Sequence, residues 1–168
     1  MIYQVTKTYG HECGLSATFR QWKANSHCKF MHGYALSFKF TFECEAEHLD
    51  ENGWVQDFGG LKPLKKWLED TFDHKTLVAA DDPALSLFRD MTKEGPLPLW
   101  GKPQLIQLVE VPHTGCEAFA YMAFNEASRM LNAGLLARTP GDTLRPVKLV
   151  EVEVREHGGN SAIYRRNP

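Results

Sequence analysis

The sequence predicts an α+β fold in which an antiparallel sheet carries its helices on one face. Three observations predict it. Several stretches alternate apolar and polar residues at period two, two others repeat apolar residues at helical steps, and the helical stretches stand together in mid-chain. The order is strand, strand, helix, helix, strand, strand, so four strands and two helices are expected.

A short alternation of Leu15, Ala17 and Phe19 predicts the N-terminal strand. The clearest strand follows at residues 36–44, where Leu36, Phe38, Phe40, Phe42 and Cys44 alternate with Ser37, Lys39, Thr41 and Glu43, giving one buried and one wet face. Phe58, Leu61, Leu64, Leu68 and Phe72 then recur at three- and four-residue steps, predicting an amphipathic helix that starts near Asp57. Residues 79–112 are rich in Pro and Gly and hold one apolar run, 105–111, which reads as an extended surface connection with one added strand. Phe119, Met122, Ala123, Ala127, Met130 and Leu131 form the second helical stripe. Thr114-Gly115-Cys116-Glu117 before it fits the S/T-x-x-E capping box. Val150, Val152 and Val154 predict a strand whose phase aims Glu156 the same way as the valines. Residues 161–165 close a hairpin with it across Gly158-Gly159-Asn160.

The chain has 168 residues, of which 43% are hydrophobic and 24% charged, so residues 1–168 are expected to form a single domain with a real core. A formal net charge of −2 argues against a nucleic-acid partner bound by bulk charge. No apolar run approaches the ~18–20 residues of a membrane helix, and the N-terminus lacks a signal-peptide layout; the expectation is a cytoplasmic protein with no membrane partner. Cys13, Cys28, Cys44 and Cys116 form no CxxC pair and are read as free thiols.

Groups able to carry chemistry fall in three places: Cys28 to Tyr34, Asp73-His74, and Glu156. Each alone is a weak signal, because lone cysteines fill cores, Asp-His pairs cap helices and inward carboxylates form ion pairs. Together they carry a resemblance. The stretches LSATFR, CKFMHGYALSFKF, GWVQDFGGLK, FDHKTL and VEVREHGGNSAIYRR, in this order, resemble the 6-pyruvoyl- and 6-carboxytetrahydropterin synthases over most of the chain. Residues 79–112 look like an insertion against that family.

The resemblance implies a tunnelling fold, in which sheets of several subunits close a barrel and active sites lie between subunits; a homo-oligomer, most simply a hexamer, is expected. It implies a lyase acting on 7,8-dihydroneopterin triphosphate or a similar pteridine or purine-like ring, in pterin or queuosine biosynthesis. By position it implies Cys28 as the thiol base, Asp73 and His74 as its proton-transfer partners and Glu156 as the ring anchor. A carboxylate that faces inward is costly unless donors meet it, and the amino-pyrimidinone edge of a pterin presents adjacent donors. The other reading of Glu156 is an ion pair with Arg155 or Arg165, whose strand phases differ from its own. Glu117 aligns with a family Glu, but a capping-box role explains it equally well.

The family binds zinc through three histidines, and here the sequence departs from it. The corresponding positions are Phe19, His32 and Tyr34, so only His32 is a ligand of the expected kind. Phe has no lone pair and a neutral phenol is a poor zinc ligand, so no zinc is expected at the inherited site. His11, His27 and His113 offer material for a rebuilt site, His27 being best placed beside Cys28. Two functions therefore stay open: a synthase-type enzyme with altered metal dependence, or a ring-binding or assembly homologue that has lost zinc chemistry.

Overall fold

In the computed structural model, which describes residues 1–92, 104–137 and 146–166, the period-two pattern around Phe38 and Phe40 becomes one long strand. In chain order the elements are β1 (Ile2–Tyr9), β2 (Leu15–Phe19), β3 (His32–Glu45), α1 (Lys62–Phe72), β4 (Lys75–Ala79), α2 (Leu85–Asp90), β5 (Leu108–Val111), α3 (Cys116–Asn132), β6 (Lys148–His157) and β7 (Asn160–Arg165). The α+β class stands. The expected four-stranded antiparallel sheet does not: the sheet has 7 strands, ordered β5-β4-β2-β3-β6-β7 with β1 also on β3, and the β2–β4 and β4–β5 pairs are parallel.

β3 organises the molecule. Along one edge it pairs first with β2 and then with β1, and along the other with β6. Tyr9 faces Phe38 and Leu15 faces Leu36, so residues 10–14 sit opposite Ser37 alone. That excess is wound into a one-turn 3-10 helix, His11–Cys13, closed by Gly14 at φ 69, a conformation that favours glycine.

The odd residues of β2 and the even residues of β3 lie under the helices. Phe38 packs on Phe72 of α1 with ring centroids 4.7 Å apart, and Phe72 meets Phe119 of α3 at 5.4 Å. Leu64, Leu68, Ala123 and Ala127 complete the helix side of this core against Val152 and Val154. Tight aromatic packing of this kind adds to simple area burial. The other sheet face is polar: Thr41 and Glu153 are buried there, Arg155 pairs with Glu153 at 2.6 Å, and Arg165 with Glu151 at 2.5 Å.

Residues 79–112 are more than a surface connection. β4, α2 and β5 form a parallel strand–helix–strand unit, because parallel neighbours need a crossover, and Val78, Leu85 and Phe88 give it a small core of its own. The added strand expected within 105–111 is β5. Of this stretch, residues 93–103 lie outside the described ones, so its insertion-like character is a matter of sequence alone.

Candidate functional site

α1 begins through Asp57, whose carboxylate accepts the Gly59 N–H at 2.7 Å and so opens the single 3-10 turn Phe58–Leu61 that leads into the helix. At the other end Asp73 caps α1, its N–H donating to the Glu69 carbonyl at 3.1 Å. His74 follows in the left-handed region at φ 55, an uncommon place for a non-glycine residue, and its N–H is held by the Ser16 carbonyl at 2.7 Å. This places the ring beside its own neighbour: His74 Nδ1 lies 2.7 Å from Asp73 Oδ1, while 79% of the His74 side chain is exposed. A carboxylate on one ring nitrogen leaves the other free to take or give a proton. The pair opens onto a groove shared with Ser16, Thr18, Lys75, Thr76 and Gln107.

Glu156 sits where β6 ends. Arg155 faces Ser161 of β7 and His157 faces Asn160, which leaves Glu156 as the extra residue of a β-bulge. Bulges re-aim side chains, and here the half-buried carboxylate accepts a hydrogen bond from the Cys116 thiol at the first turn of α3. Burial, the Glu156 and Glu117 charges and that bond push the Cys116 thiol up to about 12, so it stays protonated as a donor. Arg155 and Arg165 are engaged with Glu153 and Glu151 instead, on the opposite sheet face. Cys116 is a site residue that residue-type reasoning misses, and the one signal that could find it is its place directly before Glu117 at the start of the second helical stripe.

The expected capping box is not formed. The N-cap of α3 is Gly115 at φ 114, with no side-chain cap, and the Thr114 hydroxyl donates instead to the Arg20 carbonyl at 2.6 Å. Glu117 is left exposed in the first turn, with Cys116 between it and Gly115.

Phe19, His32 and Tyr34 do converge. Phe19 and His32 are directly paired across β2 and β3, and the ring centroids lie 4.9 Å (Phe19–His32), 5.6 Å (His32–Tyr34) and 6.1 Å (Phe19–Tyr34) apart. Phe119 closes the far side of Phe19 at 5.1 Å, and His157 lies 6.0 Å from Tyr34. These residues do not fit a zinc ion. Phe19 is fully buried and offers no donor atom. His32 has Nδ1 on the Phe30 carbonyl at 2.7 Å. Burial, with Glu156, Cys28 and Cys116 nearby, raises the Tyr34 phenol and keeps it neutral. Of the other histidines, His11 is bonded to the Ala35 carbonyl, and His27 and His113 are exposed. Among the described residues the group of three potential ligands within 4.8 Å of one another is Glu45, Glu47 and His48, at the opposite end of β3 from His32.

Cys28 is half-buried in a 3-10 turn, His27–Lys29, within electrostatic reach of Tyr34. Within one chain, Cys28, Cys116 and Glu156 thus all lie within electrostatic reach of Tyr34. The Asp73–His74 pair stands apart from them, on the groove over the other face of β2. Among the described residues no helix is long and apolar enough to cross a membrane.

Solved structures share this architecture. An uncharacterised protein from Wolinella succinogenes is 18% identical, with a TM-score of 0.75 over 99% of each chain. A catalytic-residue mutant of the Plasmodium vivax 6-pyruvoyltetrahydropterin synthase is 15% identical, with a TM-score of 0.66 over 100% of this chain and 99% of that one. The 6-pyruvoyl tetrahydropterin synthase of Caenorhabditis elegans is 16% identical, with a TM-score of 0.53 over 99% of this chain and 96% of that one. These likenesses establish the fold. A comparison with curated protein sequences gives no match. The family model for 6-pyruvoyl tetrahydropterin synthase, however, matches residues 10–167, and the chain belongs to that family.

Proposed function

We propose that this protein binds a pteridine or purine-like ring, of the dihydroneopterin triphosphate kind, and moves protons on its side chain with Cys28 and the Asp73–His74 pair. The observation that carries the reading is Glu156: it is the extra residue of a bulge where β6 ends, its carboxylate lies within electrostatic reach of Tyr34 and bonds the Cys116 thiol, and two carboxylate oxygens accept more bonds than that one. A ring edge with two adjacent N–H donors matches what remains. Because Asp73–His74 opens away from Cys28 within one protomer, the reading requires a homo-oligomer, a hexamer by family likeness, in which a second copy brings its own pair to the Cys28 side. Phe19 and Tyr34 fill the inherited metal position, so the chemistry proceeds without zinc there. His32 and His157 stay as imidazoles beside Tyr34.

Calorimetric titration with neopterin tests the anchor. Glu156→Gln is expected to weaken binding by about 1.5–3 kcal/mol, the scale of a hydrogen bond to a charged group. Equal affinity in the variant removes Glu156 from the site. A monomeric mass by light scattering at micromolar concentration removes the shared site.

The buried Phe19 favours one second reading: a ring-binding or assembly homologue without turnover. Incubation of the purified protein with 7,8-dihydroneopterin triphosphate separates the two. Product formation that depends on Cys28 supports the enzyme, and tight binding without product supports the binder.

A further inference from the structure

The loop that carries Cys28, residues 20–31, has little structure of its own, yet its first residues are held from three sides. Arg20 makes two bonds to Asp82, Nε to Oδ2 at 2.8 Å and Nη2 to Oδ1 at 2.6 Å, and Asp82 is 4% exposed. Asp82 is itself fixed, accepting the Ala84 N–H at 2.8 Å, and the Arg20 guanidinium lies over the Phe88 ring at 6.0 Å. Next door, Asp81 accepts the Trp22 indole N–H at 3.0 Å and pairs with Lys23 at 2.5 Å. From the third side Thr114 holds the Arg20 carbonyl at 2.6 Å, and Gly115, at φ 114, leaves space that the Gln21 amide occupies. Gln21 passes this fixation on, because its N–H donates to the Cys28 carbonyl at 2.9 Å.

We infer that the Asp81–Asp82 turn between β4 and α2 is a clamp that positions Cys28. It gives part of the 79–112 stretch a role: a loop thiol must be held within hydrogen-bond reach of the atom it serves, and a planar guanidinium gripped by a buried carboxylate fixes both distance and direction. Asp81 and Asp82 are positioning residues, acting through Arg20, Trp22 and Lys23. The inference rests on the reading of Cys28 as the site thiol for its meaning, but its test needs no ligand.

The experiment follows backbone hydrogen exchange by mass spectrometry, together with iodoacetamide alkylation of Cys28, using half-buried Cys13 as the internal reference. Asp82→Asn should speed both exchange in residues 20–31 and alkylation of Cys28 roughly tenfold, the scale for losing one charge-assisted grip on a local opening, with Cys13 unchanged. Asp82→Glu, which keeps the carboxylate, should restore most of the protection. Asp81→Asn, at an exposed position, should give a smaller change of the same sign and decides the matter if Asp82→Asn does not fold. The clamp is overturned if the variants match wild type in this loop, or if β3 and α3 accelerate as much as the loop does. A Glu156→Gln variant that binds neopterin undiminished removes the ring-binding reading and leaves the clamp standing. An unaltered loop removes the clamp and leaves that reading standing.

Discussion

Phe19 and His74 lie at the ends of neighbouring strands in one sheet, yet they belong to opposite kinds of environment. Phe19 has 0% exposure and packs on His32, Tyr34 and Phe119, so one of the three positions that the resemblance assigns to metal ligation is part of the core here. Among the described residues, His74 is held by its backbone and by Asp73, in a left-handed conformation, with most of its ring in the open. Core residues answer to packing, whereas an exposed, strained polar pair contributes little to packing and persists where something else requires it. One region is closed by packing, and the other leaves a carboxylate–imidazole pair open to solvent.

The largest expected effect comes from placing imidazoles in the packed region. Phe19→His with Tyr34→His would set three imidazoles on one point with an open fourth position, as a catalytic zinc needs, and should bind one zinc per chain at micromolar affinity or tighter, about 8 kcal/mol or more. Elemental analysis of chelator-free preparations reads this. Stoichiometric zinc in the wild-type protein would mean that the ligands lie elsewhere, and no zinc in the double variant would mean that the rings do not point where the strand register places them.

Next in size, Phe19→Ala should cost ~3–5 kcal/mol in urea unfolding, because a fully buried aromatic leaves a cavity among Phe119, His32 and Tyr34. A loss below about 1 kcal/mol would show that the cluster is not core.

A smaller effect appears in alkali. The folded-state values of Cys116 and Tyr9 are each raised to about 12, above their ordinary 9.0 and 10.0, so the stability these protonated groups supply is fully present below pH 9 and is lost as pH climbs toward 12. Urea midpoints at about pH 8 and about pH 11 should fall accordingly. Cys116→Ser, which keeps a donor for Glu156 but does not titrate, should make the fall shallower; an unchanged slope would dissociate Cys116 from it.

The smallest effect has the opposite sign. His74→Gly should raise stability by ~0.5–1 kcal/mol, since glycine takes φ 55 without a side-chain clash, while removing any proton transfer that His74 performs. A clear destabilisation would show that the exposed ring is a structural brace.

Local pattern made β2, β3, β6, α1, α3 and the β6–β7 hairpin legible, because each places its apolar residues at the period of its own element. β1 escaped notice because IYQVTKTY sits exposed along most of its length and has no consistent apolar phase. β4 escaped because KTLVA is buried at four of five positions and so does not alternate, as expected of a strand covered on both sides. The capping-box motif is present as letters but not as contacts: the Thr114 hydroxyl finds its partner in Arg20, far away in the chain.

The sequence by itself determined that Phe19 and Tyr34 stand where the resemblance places histidines and that Asp73 lies beside His74, because residue identity and strand alternation need no partner to be true. It also determined the phase on which Glu156 follows the valines. Only the tertiary structure decided that Glu156 stands in a bulge against Cys116, that β4 and β5 join the sheet in parallel, and that Asp81 and Asp82 grip the Cys28 loop. Each of these depends on the register between segments distant in the chain, and register is set by the packing of whole faces against one another, which no local period records.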